Sequence, residues 1–400
     1  MKVISDNKKI QEILTRGVAE VIDLAALNEK LSRGKKLRIK YGIDPTSKHI
    51  HLGRAVALLK LQALQDLGHT IVFIVGDFTG VIGDTSDKES ERPMLSRKEV
   101  KENMRTYVAQ AKKILSSKNL EIHYNSKWLS KLRYHEIGEQ ADAFSLSDFI
   151  SRENIKKRLT KGERISLREV LYPIMQGHDS VAVRADVEIG GTDQKFNMLA
   201  GRRMQEKLGQ QPQDIIMLNI IEGTDGRKMS SSWGNTINLL DKPDDMFGKV
   251  MRIPDSLIMS YFVHCTRIST SEVEKIQTEL MGGNGNPRDI KLKLAKEIVT
   301  LYHGVKNGNE TEENFIRTFS KQGTPENIKE IKVKKGTPLF QVAQEKKLVQ
   351  SKTEWRRLVE EGAIEETTTG EKIKSHSVAV EHDGIFKIGK RRFLKIKATN

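Results

Sequence analysis

Apolar residues recur along this chain at two different spacings. From Lys8 to Leu31, Ile10, Leu14, Val18 and Ile22 fall every four residues, which predicts a helical N-terminal stretch. Leu37–Tyr41 alternates instead and reads as a strand. A turn-rich segment, Gly42 to His51, leads into Arg54–Leu67, where Val56, Leu59 and Ala63 mark one helical face and Gly68 sits where a helix stop belongs. Thr70–Val75 is a continuous apolar, largely β-branched run of the kind found in fully buried parallel strands. Strand, helix and strand within about forty residues form a βαβ unit, and that predicts a parallel α/β sheet.

Further along, Arg97–Leu115 is helical in pattern, Leu120–Asn125 is a strand, and residues 140–180 are mostly helical. Ala185–Ile189 and Ile215–Ile221 are short apolar strands. Strand patterning fades after Asp241, and Ile290, Leu294, Ile298 and Leu301 then share one helical stripe. In the last segment, Ser351-Lys352-Thr353-Glu354 is a capping box opening a short helix that stops at Gly362, and Phe386–Ile396 reads as two strands around a turn. The expected order is a parallel-sheet domain over 1–238, a helical domain over 239–330 and a small α+β module over 337–400.

Charge sharpens the last of these. Lys+Arg minus Asp+Glu is 68 − 53 = +15 for the whole chain, and residues 331–400 hold 16 basic against 9 acidic residues. That surplus suits a phosphate backbone. The single cysteine, Cys265, excludes an internal disulfide and a thiolate zinc cage, and is expected as a small buried residue. The first ten residues are too polar for a signal peptide, and no run approaches the ~18 apolar residues of a membrane span. A soluble protein of a reducing, cytoplasmic compartment is expected, without a membrane partner.

Two segments carry candidate chemistry. Gly42-Ile43-Asp44-Pro45-Thr46-Ser47-Lys48-His49-Ile50-His51-Leu52-Gly53-Arg54 leaves the carboxyl end of the first parallel strand, where open α/β sheets bind ligands, and ends at a helix N-terminus that attracts anions. Gly53 allows close approach of a nucleotide, and Thr46, His51 and Arg54 can donate hydrogen bonds to its oxygens. There is no Walker-type P-loop. Gly223-Thr224-Asp225-Gly226-Arg227-Lys228-Met229-Ser230-Ser231-Ser232-Trp233-Gly234-Asn235 combines three glycines with cations and hydroxyls, as a mobile phosphate clamp would. Taken singly, a structural turn and a solvated serine loop account for them equally well.

Together and in this order, the two resemble the paired signatures of class I aminoacyl-tRNA synthetases, His51-Leu52-Gly53-Arg54 for the first and Lys228-Met229-Ser230-Ser231-Ser232 for the second. With Tyr41–Thr46, Gly76–Asp84, Tyr172–Asp179 and Gly190–Asn197, the chain resembles the bacterial tyrosyl-tRNA synthetases with a short insertion between the signatures. Pro287-Arg288-Asp289 with Tyr302-His303-Gly304 matches the helical anticodon-side domain of that family, and Leu348–Leu358 with Gly389–Phe393 resembles an RNA-binding domain shared with a ribosomal protein. The resemblance implies a Rossmann-like catalytic domain and activation of tyrosine by ATP, followed by transfer to tRNA(Tyr). It implies a catalytic set of Thr46, His51, Arg54, Lys228 and Ser231. ATP would be held by these with Gly42, Asp44, Gly53, Gly191, Asp193 and Met229. Tyrosine would be held by Asp84, Tyr172, Gln176, Asp179 and Gln194, with Asp179 on the phenol. Lys352, Arg356, Arg357, Lys390, Arg391 and Arg392 would meet tRNA. Mg²⁺ is implied on the ATP phosphates with no metal site built from protein ligands, and a homodimer is implied as the assembly.

Three positions depart from the family pattern. Arg54 replaces the second histidine of the first signature, Ser231 stands where the loop usually carries its second lysine, and His178 replaces a frequent tyrosine. Arg54 would then supply charge missing at Ser231, with Arg227 in partial compensation. Lys40 occupies the place of a second hydroxyl-binding tyrosine, so the phenol's second partner is unassigned. A tryptophan-specific relative and a catalytically weakened RNA-binding paralogue are the alternatives. Asp179 with Gln176 argues against the former, and the retention of Asp84, Tyr172, Gln176, Asp193 and Lys228 together against the latter.

Overall fold

The structure is a computed structural model, and it describes residues 3–85, 94–283, 285–319, 328, 330–367, 369–389 and 392–399. The chain divides into two compact units, Met1–Gly308 and Asn309–Asn400.

The first unit is built on a six-stranded sheet of β1 (Val18–Ile22), β2 (Arg38–Ile43), β3 (Thr70–Val75), β4 (Leu120–Tyr124), β5 (Val187–Gly191) and β6 (Asp214–Leu218), in the order β1-β6-β5-β2-β3-β4. All neighbours are parallel except the edge strand β1, which runs antiparallel to β6. Strands β3, β5 and β6 are sealed on both faces, which explains the unbroken apolar run of β3. Every residue of β3 and of β6 is buried. Burial of each large apolar side chain contributes about 1.5–3 kcal/mol, so β3 alone is a major anchor of this core. From β2 the chain lays down β3 and β4 on one side, then returns to place β5 and β6 on the other. The reversal opens a crevice at the carboxyl ends of β2 and β5.

The N-terminal stretch differs from its expected continuous helix. It forms a helix over Asn7–Thr15, then β1, then a second helix over Leu24–Ser32. Gly17 causes the break: its φ is +67°, and a Cβ there would lie 2.9 Å from the His264 ring. Val18 and Ile22 instead enter β1, whose pairing with β6, with a register shift between Val18 and Glu20, takes precedence over helical preference.

The helices Pro243–Met251, Ile258–Cys265, Thr270–Met281 and Pro287–His303 lie within the first unit rather than forming one of their own. Ile258–Cys265 packs on the helix Leu52–Asp66. The Arg16 guanidinium donates to the carbonyls of Phe262 (3.0 Å), Val263 (2.9 Å), Thr266 (3.1 Å) and Ile268 (2.6 Å), tying the N-terminal segment to them. Cys265 is buried, as expected of a small apolar side chain.

The second unit contains a five-stranded sheet ordered β7-β11-β10-β8-β9, from β7 (Glu330–Lys334), β8 (Ile364–Glu366), β9 (Glu371–Lys372), β10 (Gly384–Ile388) and β11 (Arg392–Thr399). Half of the predicted capping box forms at the helix Lys352–Glu360: the Ser351 hydroxyl accepts from the Glu354 amide at 3.1 Å, while the Glu354 carboxylate takes the Gln350 amide at 2.7 Å rather than that of Ser351. Trp355, Leu358, Ile364, Ile388, Leu394 and Ile396 form its core. Among the described residues, no helix is long and apolar enough to cross a membrane.

Candidate active site at the carboxyl ends of β2 and β5

A cleft of about 530 Å³ occupies the crevice, within the ~300–1,000 Å³ range of small-molecule sites. Every expected nucleotide and tyrosine residue lines it: Gly42, Asp44, Thr46, His51, Gly53, Arg54, Asp84, Tyr172, Gln176, Asp179, Gly191, Asp193, Gln194, Lys228, Met229 and Ser231. His178 and Arg227 do not. Arg227 is engaged with Asp225 at 2.5 Å and lies over the Trp233 ring, which places it on the outer side of its loop.

One end of the cleft is cationic. Arg54, on the first turn of the helix Leu52–Asp66, donates to the Asp44 carbonyl (3.0 Å), the Tyr107 hydroxyl (3.0 Å) and Thr46 Oγ1 (2.9 Å). This fan of acceptors fixes the guanidinium, which remains charged. His51 caps the same helix, with Nδ1 buried and unpartnered in the described structure. Burial and the neighbouring charges of Arg54 and Lys228 push its pKa down to about 3, so it is a neutral imidazole at physiological pH. Gly53 is required here, since a Cβ would stand 3.0 Å from His51 Nδ1. The serine loop lies across this end. Its Lys228 donates to Asp193 at 3.2 Å, the Met229 sulfur receives the Gly53 amide at 3.3 Å, and the Ser231 and Ser47 hydroxyls meet at 3.2 Å.

The other end is acidic and buried. Asp44 accepts from Thr79 (2.7 Å) and Tyr172 (2.9 Å), and burial raises its pKa to about 6 against the pull of those donors. Gly76 makes room for it, because a Cβ would fall 2.0 Å from Asp44 Oδ1. Asp179 receives Trp128 Nε1 at 2.7 Å and Asn125 Nδ2 at 3.2 Å, and burial raises its pKa to about 7. Gln194 donates to Asp84 at 2.7 Å.

Comparison with known proteins agrees with this geometry. A family model described as tRNA synthetases class I (W and Y) matches residues 32–320. The chain belongs to this family. It is 41% identical to a tyrosine–tRNA ligase of Thermotoga maritima over 96% of either chain, and 42% identical to one of Carboxydothermus hydrogenoformans over 98% of either chain. Its fold is similar to that of tyrosyl-tRNA synthetase complexed with L-tyrosine from Archaeoglobus fulgidus, at a TM-score of 0.61 and 21% identity, covering 77% of this chain and 100% of that one. A C-terminally truncated mitochondrial tyrosyl-tRNA synthetase from Aspergillus nidulans gives 0.65 and 20%, with 78% and 94% covered.

Several contributors to the family cleft escaped the sequence reading. Tyr107 anchors both Arg54 and the Ser47 carbonyl (2.6 Å). Thr79 holds Asp44, while Asn125 and Trp128 hold Asp179. Thr79 lies inside the quoted Gly76–Asp84 motif. Asn125 follows the carboxyl end of β4, and a polar residue just beyond a parallel strand is the signal that would have found it. In the second unit Lys352, Arg356 and Arg357 are exposed on one short helix. The Arg392 guanidinium has partners within the unit, Glu354 at 2.7 Å and the backbone carbonyls of Ile388 and Leu348, and its side chain remains partly exposed. Lys390 and Arg391 lie outside the described residues.

Proposed function

We propose that this tyrosine–tRNA ligase performs both of its chemical steps in the cleft described above, with tyrosine at the acidic end and ATP at the cationic end. A carboxylate oxygen of tyrosine attacks the α-phosphorus of ATP in line. The bond from phosphorus to the bridging oxygen of pyrophosphate breaks, leaving tyrosyl-AMP and pyrophosphate. A terminal ribose hydroxyl of tRNA(Tyr) then attacks the tyrosyl carbonyl and AMP departs. Neither step needs a nucleophilic side chain, so catalysis rests on positioning and on stabilising charge that grows on phosphate oxygens.

The residues fit these roles. Gly42 faces open space, with nothing within 4 Å of a Cβ built on it, so the β2 terminus leaves room for a nucleotide. Arg54 and Lys228 supply fixed positive charge, and neutral His51, Thr46 and Ser231 offer hydrogen bonds at the helix N-terminus. Gly53 and Met229 shape that end, Gly191 and Asp193 serve the nucleoside side, and Asp44 adjoins both ends, its carboxylate beside Tyr172 and its backbone carbonyl on Arg54, so that it seats the nucleoside from the margin of the acidic end. Tyr172, Gln176, Gln194 and Asp84 receive the tyrosine ammonium, and the Asp179 carboxylate accepts the phenol O–H. Phenylalanine would leave that buried acceptor unsatisfied. Mg²⁺ would neutralise the ATP phosphates, held mainly through phosphate and water oxygens.

For tRNA, Lys352, Arg356 and Arg357 are exposed on one helix of the second unit, and they are assigned to its phosphates together with Lys390, Arg391 and Arg392. Exposed Tyr134, Leu146, Ile150, Leu159 and Leu167, all between β4 and β5 in sequence, support a homodimer. The setting is cytoplasmic. The observation that carries the reading is the convergence, in one cleft, of residues scattered from Gly42 to Ser231. Amino-acid-dependent pyrophosphate exchange tests it: tyrosine should support exchange and tryptophan and phenylalanine should not. Absence of exchange with tyrosine overturns it.

A further inference from the structure

Beneath the tyrosine end of the cleft lies an ion pair that none of the roles above uses. Lys40 of β2 and Glu188 of β5 are register partners on adjacent parallel strands, 0% and 2% exposed, with Nζ 2.9 Å from Oε1. Burying two charges is expensive unless every hydrogen-bonding position is filled, and here they are filled. Lys40 also donates to the backbone carbonyl of Gln176 (2.9 Å) and to Ser180 Oγ (2.7 Å), which uses all three of its N–H bonds and leaves the Gln176 side-chain amide to other partners. Lys40 is therefore not the phenol's second partner. Glu188 takes donors from Ser180 Oγ (3.2 Å) and Gln213 Nε2 as well.

The last acceptor position of Glu188 is occupied by Gln176 Nε2 at 3.1 Å. An ionised carboxylate has only lone pairs, so it can bind the NH₂ end of that amide and never the carbonyl end. The Gln176 carbonyl oxygen is thereby turned the other way, 3.2 Å from Asn197 Nδ2. Gln194 repeats the arrangement. Its Nε2 is held by Asp84, and its carbonyl oxygen meets the same Asn197 Nδ2 at 3.0 Å. Two carboxylates thus bind the donor ends of two amides, and both acceptor ends converge at the cleft wall.

We propose that Glu188, fixed in place by Lys40, is a positioning residue that orients the Gln176 amide so that its oxygen receives the ammonium group of tyrosine. This rests on the reading that Gln176 belongs to the tyrosine hole. Lys40 offsets the charge of Glu188 through their 2.9 Å contact.

The test uses the full chain and two competitive inhibitors of tyrosine-dependent exchange: tyramine, which keeps the ammonium and lacks the carboxylate, and 3-(4-hydroxyphenyl)propanoate, which does the reverse. In the paired variant Lys40→Met/Glu188→Gln, which removes both charges together, the inhibition constant of tyramine should rise about tenfold while that of the propanoate stays within about twofold, since loss of one oriented acceptor is worth about 1.4 kcal/mol. Glu188→Asp keeps the charge and withdraws the carboxylate by one methylene. It should give the same pattern at smaller size, and it carries the test if the paired variant does not fold. Equal weakening of both inhibitors, or of neither, overturns the orienting role. Gln176→Ala separates the two ideas: if it leaves tyramine inhibition unchanged, Gln176 is not an ammonium ligand and the underlying site assignment fails first.

Discussion

The two ends of the cleft are buried to similar depth, yet burial acts on them in opposite directions. At the phosphate end it pushes His51 down to about 3, while Arg54 stays charged in its fan of oxygen acceptors. At the amino-acid end it pushes Asp44 up to about 6 and Asp179 up to about 7. Desolvation disfavours the charged form of any group, so a histidine becomes neutral and a carboxylate more readily protonated. The cationic end is consequently indifferent to pH at His51 across the neutral range, and the acidic end titrates within it.

The largest expected break in this comparison is at Arg54. Arg54→Ala should lower the rate of pyrophosphate exchange at saturation by about 10²–10³-fold, the usual scale for losing one charge-stabilising donor, with tyrosine KM within about twofold. Arg54→His should fall between. If both variants matched the parent rate, Arg54 would not be supplying the charge missing at Ser231. At the other end, Asp179→Asn should cost about 10–100-fold in kcat/KM for tyrosine, the equivalent of one hydrogen bond to a charged group, and should narrow the preference over phenylalanine while ATP KM holds. Loss of ATP binding in Asp179→Asn would show that the ends are not separable.

How much of this was readable beforehand depends on where each residue gets its signal. The residues of the cleft were legible because short motifs at strand ends carry their chemistry locally: Gly42–Arg54 follows β2, and Gly190–Asn197 overlaps the end of β5. Lys40 was noticed as a departure, but its partner Glu188 lies nearly 150 positions away and is identified only by strand register. Asn125 and Trp128 have the same character, serving Asp179 from across the sheet. Strand β1 was hidden because Val18 and Ile22 continue the helical spacing of four set by Ile10 and Leu14, and only pairing with β6 reveals a strand there. Charge counting could not separate exposed Arg356 and Arg357 from Arg392, whose guanidinium also binds Glu354.

Titration sharpens the comparison next. Asp179 must be ionised to accept the phenol O–H while Trp128 and Asn125 occupy its oxygens, so tyrosine KM should rise as pH falls below about 7, by up to about tenfold per unit. ATP KM should remain flat over the same interval, and Asp179→Asn should lose the slope. Stability of the protein without substrate should move the other way. The folded-state pKa values of Asp44 and Asp179 lie above those of the unfolded chain, so the native state binds these protons more readily. Their contribution therefore increases as pH falls from about 7 towards about 4 and is lost as pH rises again. Thermal melts of the parent and Asp179→Asn between these limits would check the sign.

The smallest effect on the cleft is expected from the largest change in the chain. Residues Asn309–Asn400 form their own compact unit with its own core, and every residue assigned to either end of the cleft precedes it. Deletion from Gly336 onward should leave pyrophosphate exchange and both KM values within about twofold, since every residue lining the cleft belongs to the first unit. Charging of tRNA(Tyr) should fall and lose part of its salt dependence, because the deleted segment holds Lys352, Arg356 and Arg357, whose phosphate contacts would otherwise release counterions. Reversing only Arg356 and Arg357 to glutamate should reproduce the loss of charging with the unit still folded. Equal charging by the truncated chain would move tRNA recognition wholly into the first unit, and a matching loss of exchange would mean that the tail supports the cleft itself.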